Sequence, residues 1–195
     1  MSLDIWAAAT ALFVASFTPG PNNAICASIG ATYGYTRALP FALGVTVGYP
    51  ALIAAVGLGL AGLLAAFPQL HLAIKICGAS FLLYLAWKIA TAKNTPATNA
   101  KVPGFWRAFL FQWFNPKGVP VSFSIIAAYA DAGDTLLADI AALMVISGVM
   151  AFGATSTWAL VGSGISRLLN SPRALATFNG VMGALLALSL IPVFL

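Results

Sequence analysis

Residues 5–29 read IWAAATALFVASFTPGPNNAICASI, with no charge at any position. That is long enough to cross a bilayer, which takes about 20 apolar residues in a helix. At its centre stands Thr18-Pro19-Gly20-Pro21-Asn22-Asn23. Two prolines flanking a glycine cannot continue an unbroken helix. Thr18 lies about 13 residues into the span, or roughly 20 Å at 1.5 Å per residue, near the middle of a hydrocarbon core about 30 Å thick. Exposed backbone at that depth costs several kcal/mol per unsatisfied group. The stretch therefore predicts a membrane-embedded helix whose interruption lines a cavity or is covered by protein.

The rest of the chain agrees. Of 195 residues, 61% are hydrophobic and only 7% charged, against about 25% charged in a soluble domain. The mean hydropathy is +0.97. These values exclude a soluble globular surface and equally exclude disorder, which needs low hydrophobicity and high charge. The length suits one compact bundle, a single transmembrane domain over 1–195. The net charge of +5 comes from basic residues spread singly, so no nucleic-acid surface is indicated. In a membrane protein such an excess is a topology signal. Cys26 and Cys77 sit in apolar runs without metal-ligand spacing, as packing residues or as functional thiols. Asp4 is wrong for the positive start of a signal peptide, so the first segment is expected to be retained as a span.

Charges cut the chain into six predicted helices, at about 5–29, 38–63, 69–90, 107–130, 137–162 and 174–194. The polar stretch 91–105, TAKNTPATNAKVPGF, is the expected cytoplasmic linker between a first repeat, 1–90, and a second, 106–195. Arg37, Lys88, Lys93, Lys101, Arg107, Arg167 and Arg173 fall on one side, which is then cytoplasmic, with both termini outside. Trp6 near the outer end and Tyr33, Tyr35, Trp87 and Trp106 near the inner ends suit interfacial anchors. Two halves with an odd number of helices have opposite topology. Phe17-Thr18-Pro19 and Phe114-Asn115-Pro116 occupy matching places, and Gly78-Ala79 resembles Gly183-Ala184. The expected fold class is thus an all-α integral membrane protein of six transmembrane helices. They form two inverted three-helix repeats, with helices one and four interrupted near the midplane, a transporter signature.

The second interruption, Asn115-Pro116-Lys117-Gly118, begins eight residues past Arg107. Thr-Pro and Asn-Pro each read as an N-cap with proline at the first helical position. Each second half-helix would then start near the midplane, its positive dipole end facing the cavity and suited to a carboxylate. Lys117 at that depth costs roughly 2.5–3.5 kcal/mol on insertion scales. No acidic residue lies deep in a span to pair with it, so a substrate carboxylate is the expected counter-charge; the plainer alternative is a structural lysine that reaches water. Asn22 and Asn23 bind substrate or cap the broken backbone. Tyr49 and Trp113 either pack or sit beside an ammonium group. Lys75 is a weaker candidate that can instead snorkel outward. Asp139, at a helix start, and the single His71 are weak candidates for proton coupling. Gly44-Val-Thr-Val-Gly48 either pairs two copies as a homodimer or packs inside the bundle.

Three strings carry a family resemblance: Thr18-Pro19-Gly20-Pro21-Asn22; Lys75 with Gly78-Ala79 and Tyr84-Leu85; and Asn115-Pro116-Lys117. Together, in order and spacing over nearly the whole chain, they resemble the LysE/RhtB family of bacterial amino-acid exporters. TPGPNN at 18–23 and AWKIAT at 86–91, with Phe105-Trp106 ahead of Gln112, resemble its cysteine/O-acetylserine branch. The resemblance implies efflux of a small neutral amino acid across the bacterial inner membrane, driven by the proton gradient. It implies substrate contacts at Thr18, Pro19, Gly20, Pro21, Asn22, Asn23, Asn115, Pro116 and Lys117, with Lys75 weaker. Gly78-Ala79-Ser80-Phe81 departs from the tyrosine that often follows Gly-Ala in relatives.

The expected partners are a small amino acid, protons and the lipid bilayer, with no nucleic acid, cofactor or metal. Clustered ligands for a metal are missing from the spans, and no nucleophile with a base suggests an enzyme. The alternatives kept open are an exporter of another small solute with the same architecture and a non-transporting scaffold.

Overall fold

A computed structural model describes residues 3–60, 66–91, 102–131, 134–168 and 172–188. Every regular element among them is helical. Asp4 caps α1 (Ile5–Phe17) by accepting a hydrogen bond from the Ala7 N–H at 3.0 Å. After the first break come α2 (Pro21–Tyr33) and α3 (Tyr35–Ala55). They are joined by Gly34 alone, at φ 83°, a left-handed conformation that favours glycine. A wide π-type turn, Val56–Leu60, follows α3. Then come α4 (Pro68–Ala90), the short α5 (Phe105–Phe111) with a 3₁₀ turn (Gln112–Phe114), and after the second break α6 (Gly118–Tyr129). The described residues end in α7 (Leu136–Leu168) and α8 (Pro172–Leu188), and the last part of the expected 174–194 helix lies outside them.

Helix α7 is the spine. It packs along α2 and α3 and touches α1, while α5 lies on α3 and α4 pairs with α8. The packing is backbone-close where small residues allow it. A Cβ on Gly30 would stand 2.1 Å from the Ala159 carbonyl oxygen, and one on Gly162 2.0 Å from that of Ala27. Gly44 and Gly48 do the same against Phe105 and Phe109 of α5. The Gly44–Gly48 pair is therefore used inside the bundle. Outward, large apolar side chains stand exposed, among them Trp6, Val145, Val149 and Leu160. Such a surface suits hydrocarbon rather than water. Among the described residues Tyr35–Gly59 and Leu136–Ile165 are each long and apolar enough to cross a membrane, and α1 and α6 are apolar but shorter.

Several expected boundaries move. Arg37 lies in the first turn of α3 and Arg167 in the last turn of α7, rather than in loops, and α5 starts at Phe105, two residues ahead of the expected start at Arg107. A charge is costly in hydrocarbon but not in a helix, where Arg is among the better formers. Helices therefore run on past the apolar limits. Most of the expected linker, 92–101, falls outside the described residues.

Candidate functional site

The two breaks meet. In the first, Thr18 (ψ 138°) and Gly20 (ψ −179°) are both extended, because each precedes a proline. The helix can resume only at Pro21, so the cap of α2 is Gly20, not Thr18 as the sequence suggested. Thr18 instead closes α1, its N–H and hydroxyl both donating to the Val14 carbonyl. In the second break α6 starts at Gly118 with Lys117 at its cap, and the expected cap residue, Asn115, instead braces the turn just ahead of the helix. Asn115 is extended, its side-chain oxygen accepts from the Lys117 N–H at 3.1 Å, and its carbonyl accepts from the Val119 N–H at 3.0 Å. Pro116 occupies the position that needs no N–H.

The Lys117 ammonium donates to the carbonyl oxygens of Thr18 at 3.0 Å and Pro19 at 3.5 Å. These belong to the C-terminal end of α1, which carries partial negative charge. The lysine stem passes over Gly20, where a Cβ would stand 3.0 Å from Cδ. Asn23 donates to the carbonyls of Ser16 at 2.7 Å and Thr18 at 3.0 Å, so it serves the broken backbone. Asn22 and Gln112 exchange amide hydrogen bonds at 2.9 and 3.3 Å. Trp158 Nε1 donates to the Phe17 carbonyl at 3.3 Å.

Between the breaks lies a cavity of about 50 Å³. Its walls include Gly20, Pro21, Asn22, Asn23, Asn115 and Lys117. Gly118, small apolar residues (Ala15, Val45, Val121, Ala151, Ala154) and the hydroxyl-bearing Ser16, Tyr49 and Thr155 complete them, and no described carboxylate lines it. The first turn of α2 thus faces the cavity with its positive dipole end. Trp113 packs against the core instead. Asp139 stands apart from the cavity. It is buried, and its carboxylate accepts from the Asp131 N–H and the Thr135 hydroxyl, both at 3.1 Å, tying the α6–α7 loop to the start of α7. Lys75 and His71 lie on α4, but their side chains fall outside the described residues. Cys26 is buried and Cys77 exposed. Gln112 entered the sequence reading only within the branch resemblance and not as a site residue, although a lone amide inside FLFQWF (109–114) was a signal for it; Ser16 and Thr155 were not singled out.

The family of LysE type translocators matches residues 13–191, nearly the whole chain. The chain belongs to the LysE family. Among relatives of this LysE protein is the cysteine/O-acetylserine efflux protein of Salmonella paratyphi A (strain ATCC 9150 / SARB42). It is 27% identical over 158 residues, covering 78% of this chain and 79% of that protein. The protein of the same name from Escherichia coli (strain K12) is 26% identical over 163 residues, 82% of each chain. No solved structure matches. A LysE translocator is a membrane transporter rather than an enzyme, and the all-helical fold with its apolar surface agrees.

Proposed function

We propose that this LysE protein exports small neutral amino acids or derivatives, of the cysteine, O-acetylserine, homoserine and threonine kind, out of the cytoplasm. Export is by alternating access and is coupled to protons. The observation that carries the reading is the cavity between the breaks, with one lysine, the first residues of α2 and α6 and no described carboxylate on its walls. A substrate carboxylate fits Lys117 and the first turn of α2. A second ammonium on the substrate would find no acidic partner, which favours a neutral side chain. Small walls and a volume of about 50 Å³, room for roughly three to five water molecules, favour a small one and require the site to widen as it loads.

In this reading α1 with α2, and α5 with α6, are two broken spans. With α3, α4, α7 and α8 they make six, in two inverted halves that rock about the breaks. The short apolar lengths of α1 and α6 are what a mid-span break produces. The basic residues toward one end of the bundle support an orientation with both termini outside the inner membrane. Kinship to efflux proteins from enteric bacteria supports the direction and the substrate class.

Counterflow in proteoliposomes tests it. Vesicles loaded with unlabelled cysteine, O-acetylserine, serine or threonine should take up the labelled compound saturably. Lys117→Ala should slow uptake at least about tenfold, equivalent to about 1.4 kcal/mol. Exchange that ignores this change removes Lys117 from the site. No exchange by folded protein across the panel overturns the substrate class. An imposed proton gradient, acid outside, should drive net efflux from loaded right-side-out vesicles.

A further inference from the structure

We infer that Gln112 is the positioning residue that holds the two breaks in register, and that it does so without touching substrate. The inference rests on reading the breaks as the transport site. Gln112 is 0% exposed and opens the 3₁₀ turn just before the second break. Its side-chain oxygen accepts from Asn22 Nδ2 at 2.9 Å and Asn115 Nδ2 at 3.5 Å. Its Nε2 donates to Asn22 Oδ1 at 3.3 Å and to the Ala108 carbonyl at 2.7 Å. A carboxamide has two donors and two acceptor sites. All four are used, so none is left for a ligand. One partner, Asn22, lies in the first turn of α2; another, Asn115, braces the turn that leads into α6. Gly48 makes the room: a Cβ there would stand 2.9 Å from Gln112 Cγ.

Two ties therefore cross from break to break, and they differ in kind. Lys117 holds the Thr18 and Pro19 carbonyls through a charged group that a substrate carboxylate can claim. Gln112 is buried with its hydrogen-bonding groups all engaged, and the half-buried Asn22 meets it with one donor and one acceptor, neither of them charged, so the pair stays when Lys117 lets go. It fixes where the α2 N-terminus stands relative to Lys117, and hence the span a carboxylate must bridge.

The test joins a transport readout to one that needs no substrate. Gln112→Asn and Asn22→Gln alone each spoil the reach of the pair. Each should raise the KM for counterflow at least about fivefold, with Vmax per folded protein nearly unchanged. The double variant Asn22→Gln/Gln112→Asn keeps one long and one short amide and should restore most of the KM. In Gln112→Leu, hydrogen exchange of the Gly20 and 22–25 amides, some ninety residues away, should quicken at least about tenfold together with that of Asn115 and 117–119. Unchanged protection of Gly20 and 22–25 in Gln112→Leu overturns the inference. So does a loss of Vmax and folded yield with KM unchanged and no rescue by the swap. Should Gln112→Leu fail to fold, the single amide variants carry the exchange measurement instead. If wild-type protein transports none of the panel while the two breaks still loosen together, the transport reading falls and the tie between the breaks stands.

Discussion

Gly20 is where the lysine and the first break share space. Its backbone is extended, at φ −170°, a conformation open to any residue, so its small size matters only for what lies above it. A methyl group there would stand 3.0 Å from Lys117 Cδ and 3.2 Å from Nζ. The far end of a flexible side chain can move aside cheaply. Gly20→Ala is therefore expected to leave stability within about 0.5 kcal/mol and to cut counterflow at least about fivefold by lifting Lys117 off the Thr18 carbonyl. Thermal unfolding and initial rates on one preparation check both halves. TPGPNN and NPK were legible because proline imposes its backbone on any neighbourhood. The cap of α2 was not, because alternating prolines at 19 and 21 hold residues 18 and 20 extended in turn and delay the helix by two positions. Gln112 was legible only as an oddity, since its partner Asn22 is ninety residues away.

Helices α2 and α7 meet through the same spacing, Ala27-Ser-Ile-Gly30 against Ala159-Leu-Val-Gly162, each glycine facing the other helix's alanine carbonyl. Small residues let membrane helices approach until backbone meets backbone. Neither neighbour can yield by a side-chain rotation, because the obstacle is a carbonyl in an intact helix. Gly30→Ala and Gly162→Ala should each cost about 1–3 kcal/mol by overpacking. Gly164 and Gly180 are the controls: a Cβ there meets nothing within 4 Å. Their change to Ala should be neutral or stabilising by up to about 1 kcal/mol. Ranking the four by melting temperature in detergent decides it; equal losses at all four would remove the seam. The pairing of these strings was hidden in sequence, since AxxG is too common to single out. The helix limits were misjudged for a related reason. Cutting at arginines finds where hydrocarbon ends, and α7 continues as a helix to Leu168.

The close contacts are not shared evenly around the cavity. They gather at α2 against α7 and α5 against α3, the halves of the two broken spans that Asn22 and Gln112 join. The opposite halves, α1 and α6, lie beside each other. They flank a shallow surface groove lined by Asp4, Trp6, Thr10, Val14 and Tyr129, and Ala15 borders both this groove and the central cavity. In an inverted-repeat carrier the two sides are chemically alike and alternate between sealed and open. On the proposed carrier reading, the close packing at α2 and α5 is the sealed side of one state, and α1 and α6, the outer side in the proposed orientation, are the side through which the cavity would open. In a Cys26→Ala/Cys77→Ala background, Ser16→Cys, on the cavity wall in α1, should react with a membrane-impermeant thiosulfonate added outside. Ser156→Cys, 9% exposed in α7, should react at least about tenfold more slowly from either side, as buried thiols do. Saturating substrate on both sides draws the other state into the population by as much as the two affinities differ. Labelling should then slow at Ser16→Cys and quicken at Ser156→Cys from the cytoplasmic side. Reciprocal change at the two positions is what rocking requires; rates that stay fixed with substrate present would mean a static channel or scaffold, whatever the asymmetry of the packing.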